Sequence, residues 1–253
     1  MGLDAVVFDV DGTIADTERH GHRVAFNLAF ERLGLPYRWD EDEYGALLET
    51  PGGEHRLRGY LAAHGIGDPD RSRLAAELHR TKQAIFLDLM RRGAAPLRPG
   101  IERLIDDLNA AGVKLGVATT AGRSWVGELL STLLGSRRAA AFEVVITGED
   151  VARRKPDPEA YLLALESLGC AAGASVAVED SAAGVAAARA AGLACLAFRN
   201  GYTSGHDFGL ADLVVDDLGG PGAPAVVVAN PHGIDVEAAV GVATLTRLRE
   251  AAA

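Results

Sequence analysis

The stretch Val6-Val7-Phe8-Asp9-Val10-Asp11-Gly12-Thr13 decides how this chain folds and where its chemistry lies. Its apolar, β-branched first part predicts a buried strand over residues 4–10. A Gly-Thr turn then ends that strand, so both aspartates are able to face one pocket. Two carboxylates this close repel each other unless a cation or a proton compensates. The stretch therefore predicts a cation site or a titrating acid pair at the end of the strand.

Length, composition and charge are typical of a globular protein and argue against some classes of partner. The 253 residues are 48% hydrophobic, enough for a full buried core. A formal net charge of −10 argues against binding to nucleic acid or to an anionic membrane. There is no apolar run of membrane-spanning length and no secretory leader, and the two cysteines lack a CxxC spacing. We expect a cytoplasmic protein and a monomer.

The region after the first strand carries the periodicity of helices rather than of strands. Apolar residues recur three or four positions apart, as at Val24 and Leu28. A stretch rich in proline and glycine then ends the helical pattern. We therefore predict a helical domain over residues 16–95, inserted into a core made of residues 1–15 and 96–253.

The rest of the chain alternates short apolar strands with helices. Strands are predicted at residues 113–118, 144–146, 175–178 and 194–198. Continuous apolar strands separated by helices favour a parallel sheet that is covered on both faces. The predicted fold class is α/β, a Rossmann-like doubly wound parallel sheet with an inserted helical cap domain. In such a sheet, ligands bind outside the carboxyl ends of the strands.

The polar residues that follow these strands form the candidate site. They are Asp9 and Asp11 after the first strand, Thr119 and Thr120 after the second, Lys155 after the third, and Glu179 and Asp180 after the fourth. Oxygen donors without histidine or cysteine suit Mg²⁺ better than zinc. The basic residues of this chain are mostly arginine, so Lys155 is an exception. An ammonium group beside a carboxylate-held cation indicates a phosphoryl group as the ligand.

Two aspartates one residue apart are able to divide the work of phosphoryl transfer. One carboxylate attacks phosphorus and forms an aspartyl-phosphate. The other donates a proton to the leaving oxygen and later activates water. The spacing alone does not say which aspartate has which task.

Four ordered motifs resemble those of the haloacid dehalogenase superfamily. They are Asp9-Val10-Asp11-Gly12-Thr13, Thr119, Lys155 and Glu179-Asp180. The inserted domain resembles the C1-type cap of the β-phosphoglucomutase branch. The resemblance implies a hydrolase with Asp9 as nucleophile, Asp11 as general acid/base, and Thr119 and Lys155 as holders of the phosphoryl group. It also implies Mg²⁺ as cofactor, held by Asp9, the backbone carbonyl of Asp11, Glu179 and Asp180.

Other residues resemble the CbbY-like subgroup of that branch. They are Asp16-Thr17-Glu18-Arg19, Gly21-His22-Arg23-Val24-Ala25-Phe26-Asn27, Tyr44-Gly45, Gly52-Gly53 and Gly201-Tyr202-Thr203. This subgroup is associated with Calvin-cycle operons and dephosphorylates xylulose-1,5-bisphosphate. The resemblance therefore implies a sugar-bisphosphate phosphatase here, with xylulose-1,5-bisphosphate as the first choice of substrate. The substrate contacts we expect are Glu18, His22, Gly52, Gly53, Arg56 and Thr120. The run Pro51-Gly52-Gly53-Glu54-His55-Arg56 differs from the subgroup pattern Thr-Gly-Gly-Lys-Glu-Arg, so the exact sugar phosphate stays open.

Two other functions fit part of the pattern. A sugar-phosphate mutase would also use Asp9 and Asp11, but would pass the phosphoryl group to a second sugar hydroxyl. The Ser-Lys-Asn segment of β-phosphoglucomutase is replaced here by Ala121-Gly122-Arg123, which favours the phosphatase. A phospho-responsive binding module would have lost its acid/base residue, whereas Asp11 is present. Purely structural roles are a helix cap for Thr119 and an exposed helix face for Glu18 and His22.

Overall fold

The computed structural model describes residues 2–50, 52–220 and 222–252. The chain divides into two compact units, one formed by Met1–Ala15 with Leu97–Ala253 and the other by Asp16–Pro96. The two ends of the inserted unit lie side by side, because the Asp16 N–H donates a hydrogen bond to the Pro96 carbonyl at 2.9 Å. The insertion therefore begins and ends at neighbouring points of the backbone.

The regular secondary structure of the inserted unit is helical in the part of the chain that the structure describes. A π-helical turn, Glu18–His22, leads into α1 (Arg23–Arg32), α2 (Glu41–Leu47), α3 (Gly53–Ala63) and α4 (Asp70–Arg91). Its core is aromatic: the Trp39 ring packs against Phe26 and Phe30, with centroids 4.8 and 4.9 Å apart. The Asn27 amide fixes this tryptophan by hydrogen bonds of 2.8 Å to and from the Trp39 backbone.

The other unit is built on one mixed sheet. Its described strands are β1 (Ala5–Phe8), β2 (Lys114–Ala118), β3 (Phe142–Ile146), β4 (Ser175–Glu179), β5 (Ala194–Phe198), β6 (Leu213–Asp217) and β7 (Val226–Ala229). The spatial order is β3-β2-β1-β4-β5-β6-β7, and only the pairing of β6 with β7 is antiparallel. The predicted α/β fold class is confirmed, with one antiparallel strand added at the edge.

Helices cover this sheet. They are α5 (Ile101–Ala110), α6 (Arg123–Ala139), α7 (Glu159–Leu168), α8 (Ala182–Ala190) and α9 (Val242–Ala251). Apolar residues of α7 and α8 share one buried cluster with the central strands, so these two helices pack against those strands. Of the helices that the structure describes, none combines the length and apolar composition needed to cross a lipid bilayer.

The register of the three central strands brings their carboxyl ends together. Phe8 of β1 lies opposite Val117 of β2 and opposite Val178 of β4. The residues that follow these positions therefore emerge side by side at one edge of the sheet. The polar residues after β1, β2 and β4 gather at that edge for this reason.

Candidate active site

Asp9 is the first polar residue after β1, and its carboxylate is held from one side by a lysine. Its backbone N–H still belongs to the sheet, donating to the Val178 carbonyl at 2.9 Å. Its Oδ1 accepts a hydrogen bond from Lys155 Nζ at 2.8 Å. Burial raises the pKa of Asp9 to about 7, opposed by Lys155 and assisted by the charges of Glu179 and Asp11. The site thus makes an unusually basic carboxylate.

Lys155 connects the ends of three strands. Its ammonium donates to Asp9 Oδ1 at 2.8 Å, to the Ala118 carbonyl at 2.8 Å and to Glu179 Oε1 at 2.5 Å. Its side chain is only 5% exposed. Burial by itself would lower the pKa of Lys155, but the two carboxylates outweigh burial and raise that pKa above its ordinary value. Lys155 is therefore a cation at neutral pH.

Three buried carboxylates make a candidate cation site. Asp9, Glu179 and Asp180 each offer one oxygen, and these oxygens lie within 4.8 Å of one another. The pKa of Asp180 is raised well above its ordinary value, first by burial and then by the charges of Asp9 and Glu179. A cation would relieve this repulsion, and a donor set made of oxygen alone matches Mg²⁺. The residues present therefore fit that metal.

Two neighbours of Asp180 keep its carboxylate in place. Asn200 Nδ2 donates to Asp180 Oδ2 at 2.7 Å. Gly12 has a φ of +81°, and a Cβ at this position would overlap the Asp180 carboxylate and lie 2.9 Å from Asn200 Nδ2. The glycine in the motif is thus required both by its backbone angle and by the close approach of a carboxylate.

Two polar contacts of this site were missing from the sequence prediction. Asn200 follows the carboxyl end of β5, so extending the strand-end rule by one strand would have found it. The Tyr161 hydroxyl donates to Glu179 Oε1 at 2.5 Å from the buried face of α7. Burial, followed by the charge of Glu179, raises the pKa of Tyr161 well above its ordinary value. Tyr161 has the spacing of a core residue, so the sequence carried no signal for its polar contact.

The remaining candidates at the strand ends, Thr119, Thr120 and Asp11, differ in how deeply they are buried. Thr119 is buried, and its Oγ1 accepts a hydrogen bond from the Ala121 N–H at 3.1 Å. Thr120 is exposed. Asp11 is half-buried two residues after Asp9, and its charge raises the pKa of Asp9. The structure thus joins Asp9, Lys155, Glu179 and Asp180 into one cluster, with Asp11 electrostatically coupled to it.

Within the inserted unit, Glu18 and Arg56 are linked through a tyrosine. The Tyr44 hydroxyl donates to Glu18 Oε2 at 2.5 Å, and the Arg56 guanidinium lies over the Tyr44 ring, 5.5 Å from its centroid. Arg56 is buried, and its Nε donates to the Leu47 carbonyl at 2.8 Å. Glu18 is therefore held at the hydroxyl of Tyr44 and Arg56 over the face of its ring.

His22 contacts a buried lysine of the same unit. Lys82 Nζ lies 2.7 Å from His22 Nδ1, and the His22 ring stacks on Phe86 with centroids 4.0 Å apart. Burial, together with the charge of Lys82, lowers the pKa of His22 well below its ordinary value. A neutral His22 therefore accepts the hydrogen bond from Lys82.

The two candidate glycines begin α3 and differ in their surroundings. Gly52 is exposed, has a φ of +85° and is the residue before the helix. Gly53 is half-buried, and a Cβ there would lie 3.2 Å from the His79 ring and 3.3 Å from Phe26. Pro51, which precedes them, lies outside the described residues.

The fold and site define a class of α/β hydrolase in which an aspartate pair, a lysine and an acidic pair meet at the strand ends. The model of haloacid dehalogenase-like hydrolases matches residues 3–192. The chain belongs to this family, and within it to the CbbY-like proteins. It is 40% identical to protein CbbY of Rhodobacter capsulatus, over 89% of this chain and 98% of that protein. It is also 40% identical to a CBBY-like protein of Arabidopsis thaliana, over 86% of this chain and 70% of that protein.

Solved structures agree with this membership. The crystal structure of CbbY from Rhodobacter sphaeroides in complex with phosphate matches with a TM-score of 0.73 and 41% identity, covering 85% of this chain and 94% of that chain. A mutant of the same protein in complex with xylulose-1,5-bisphosphate matches with a TM-score of 0.73 and 40% identity, over the same shares. The family resemblance predicted from the motifs is confirmed, and the chain is a phosphatase.

Proposed function

We propose that the chain is a Mg²⁺-dependent phosphatase that hydrolyses a small sugar phosphate through an aspartyl-phosphate on Asp9. The observation that carries this proposal is the contact of Lys155 Nζ with Asp9 and Glu179, two of the three carboxylates of the buried acidic cluster. A cation placed against one oxygen of Asp9 orients the carboxylate and leaves its other oxygen available for attack on phosphorus. The same ammonium is close enough to attract phosphoryl oxygens that approach Asp9.

In this proposal the two aspartates act in sequence. Asp9 forms a bond to phosphorus while the bond from phosphorus to the sugar oxygen breaks, and Asp11 gives its proton to that oxygen. Water then attacks the aspartyl-phosphate, Asp11 takes a proton from the water, and the Asp9 carboxylate is released with inorganic phosphate. Thr119 and Lys155 hold the phosphoryl oxygens. Mg²⁺, held by Asp9, the Asp11 carbonyl, Glu179 and Asp180, would neutralise charge on the phosphoryl group.

Xylulose-1,5-bisphosphate is our first choice of substrate. A relative of 40% identity has been crystallised with it. In the inserted unit, Arg56 supplies a buried positive charge, and Glu18 and His22 supply hydrogen-bonding groups for sugar hydroxyls. We assign Gly52, Gly53 and Thr120 to the same substrate contacts. Glu54 and His55 replace the Lys-Glu of the subgroup pattern, so another sugar phosphate is the alternative.

A phosphate-release screen over sugar mono- and bisphosphates, with and without Mg²⁺, tests this proposal. We expect release only with Mg²⁺ and the highest kcat/KM for xylulose-1,5-bisphosphate. A preference for a monophosphate would contradict the bisphosphate assignment and leave the chemistry intact. Isomerised sugar phosphate without free phosphate would instead identify a mutase.

Replacement of the nucleophile tests the chemistry directly. Asp9→Asn keeps the size of the side chain but removes the attacking charge, so we expect kcat to fall by roughly three orders of magnitude or more. Asp4→Asn is the matched control, since Asp4 is exposed just before the same strand, and its kcat should match that of the wild type. Phosphate release that persists in Asp9→Asn would contradict the aspartyl-phosphate route.

We also propose that the protein acts as a cytoplasmic monomer, in cells that use the Calvin cycle. The support is the resemblance to the CbbY-like subgroup and the absence of a CxxC pair in the sequence. Light scattering after size-exclusion chromatography would measure the oligomeric state.

A further inference from the structure

We propose that Tyr161 is a positioning residue that holds Lys155 and Glu179 in register for phosphoryl transfer, an inference that rests on the function proposed above. The Tyr161 hydroxyl donates to Glu179 Oε1 at 2.5 Å. The same oxygen accepts from Lys155 Nζ at 2.5 Å. One carboxylate oxygen is therefore shared between the lysine and the tyrosine, and its direction depends on both.

The ring of Tyr161 contacts the other member of this pair. Lys155 Nζ lies 5.0 Å from the centroid of the ring, within the range of a cation–π contact. The hydroxyl thus orients the carboxylate while the ring supports the ammonium. Tyr161 and Glu179 are both completely buried, so water does not compete for either contact.

Removing the hydroxyl alone should disturb the pair. Glu179 Oε1 would lose one of its two donors in a place that water does not reach, which is unfavourable for a carboxylate. Oε1 would then depend on Lys155 alone, while Oε2 keeps its longer hydrogen bonds from the Asp180 N–H at 3.3 Å and the Ser181 hydroxyl at 3.4 Å. The carboxylate would turn to strengthen its contact with Lys155 and draw the ammonium away from Asp9 Oδ1. The reacting carboxylate and the group that holds the phosphoryl oxygens would no longer be aligned, and Glu179 would be less well oriented towards a metal.

The deciding variant is Tyr161→Phe, which keeps the ring and removes only the hydroxyl. We expect kcat for phosphate release to fall by about 10- to 100-fold, with little change in the KM of the sugar phosphate. We also expect the dissociation constant for Mg²⁺, measured by calorimetry on the full-length protein without substrate, to rise by about tenfold. Both effects follow from the orientation of Glu179 rather than from the binding of sugar.

A variant on the same helix separates positioning from stability. Leu165→Ala removes a buried side chain of α7 that belongs to the apolar cluster, so it should lower the Tm while leaving Mg²⁺ affinity and kcat unchanged. Tyr37→Phe, in the inserted unit, controls for loss of a hydroxyl elsewhere. Wild-type kcat and Mg²⁺ affinity in Tyr161→Phe would overturn the proposal. So would a pattern in which Tyr161→Phe merely reproduces the lowered Tm of Leu165→Ala.

The two readouts also distinguish this inference from the proposed function. A wild-type protein that releases no phosphate from any sugar phosphate would contradict the function. The Mg²⁺ titration of Tyr161→Phe would still decide whether the tyrosine positions Glu179. If the wild-type protein releases phosphate but Tyr161→Phe binds Mg²⁺ as tightly as the wild type, the positioning role is contradicted and the proposed function is not.

Discussion

Gly12 is a single residue whose backbone conformation and lack of a side chain are both required by the site. Its φ of +81° is unfavourable for any residue with a Cβ, and a Cβ there would also overlap the Asp180 carboxylate. We expect Gly12→Ala to lower the free energy of unfolding by about 1–2 kcal/mol for the backbone angle, and by a further ~1–3 kcal/mol for the overlap. Mg²⁺ affinity should fall as well, because Asp180 must move. Urea unfolding and Mg²⁺ calorimetry measure the two effects.

Gly34→Ala is the matched control for this variant. Gly34 has a φ of +68°, but nothing lies within 4 Å of its missing Cβ. It should therefore lose only the backbone contribution of about 1–2 kcal/mol and keep wild-type Mg²⁺ affinity. Equal losses in the two variants, with Mg²⁺ binding intact in both, would show that the approach of Asp180 to Gly12 is unimportant.

Some residues of the site could be predicted from the sequence and others could not. Asp9, Lys155 and the Glu179-Asp180 pair could be predicted, because each follows an apolar strand and charged residues there have few structural uses. Tyr161 could not, because a buried aromatic residue at helical spacing looks the same whether its hydroxyl meets a carboxylate or not. Its contact depends on the distance between α7 and β4, which is a property of packing.

At the scale of elements, α8 is tied to the acidic cluster by its first turn. Ser181 caps this helix, accepting a hydrogen bond from the Gly184 N–H at 3.1 Å. A Cβ on Gly184 would overlap the Glu179 carboxylate. We expect Gly184→Ala to lower the free energy of unfolding by about 1–3 kcal/mol and Mg²⁺ affinity by about tenfold. Chemical denaturation and calorimetry are the measurements.

A second helical glycine provides the comparison. Gly127 lies within α6, and nothing lies within 4 Å of the position of its missing Cβ. Gly127→Ala should therefore stabilise the protein by about 0.5–1 kcal/mol through better helix propensity. If Gly184→Ala were equally stabilising, the close packing of α8 against Glu179 would be disproved.

The bounds of an element could be predicted where its apolar pattern is strong. They could not be predicted where they depend on contacts with residues far away in the sequence. Strand β5 occupies the predicted residues, because a continuous apolar run between glycine-containing turns has few alternatives. Helix α6 spans Arg123–Ala139 with a non-helical Gly135 inside it, an irregularity that apolar periodicity does not predict. The antiparallel direction of β7 was not predictable, since its four exposed residues pair only with β6.

At the scale of the whole molecule, the proposed function assigns phosphoryl transfer to one unit and substrate selection to the other. The clustered carboxylates and Lys155 belong to the unit built on the sheet. The proposed sugar contacts Glu18, His22 and Arg56 belong to the inserted unit. Because the two ends of that insertion are hydrogen-bonded to each other, a short linker should be able to replace it without disturbing the sheet.

We therefore expect a variant in which a short Gly-Ser linker replaces residues 17–95 to fold and to bind Mg²⁺ as the full chain does. It should still hydrolyse an unspecific phosphate ester such as p-nitrophenyl phosphate, while kcat/KM for the preferred sugar phosphate falls by about 100-fold or more because binding energy from the sugar is lost. Asp9→Asn in the same shortened chain controls for adventitious hydrolysis. Retained preference among sugar phosphates would place specificity in the sheet unit, and loss of Mg²⁺ binding would show that the metal site requires the inserted unit.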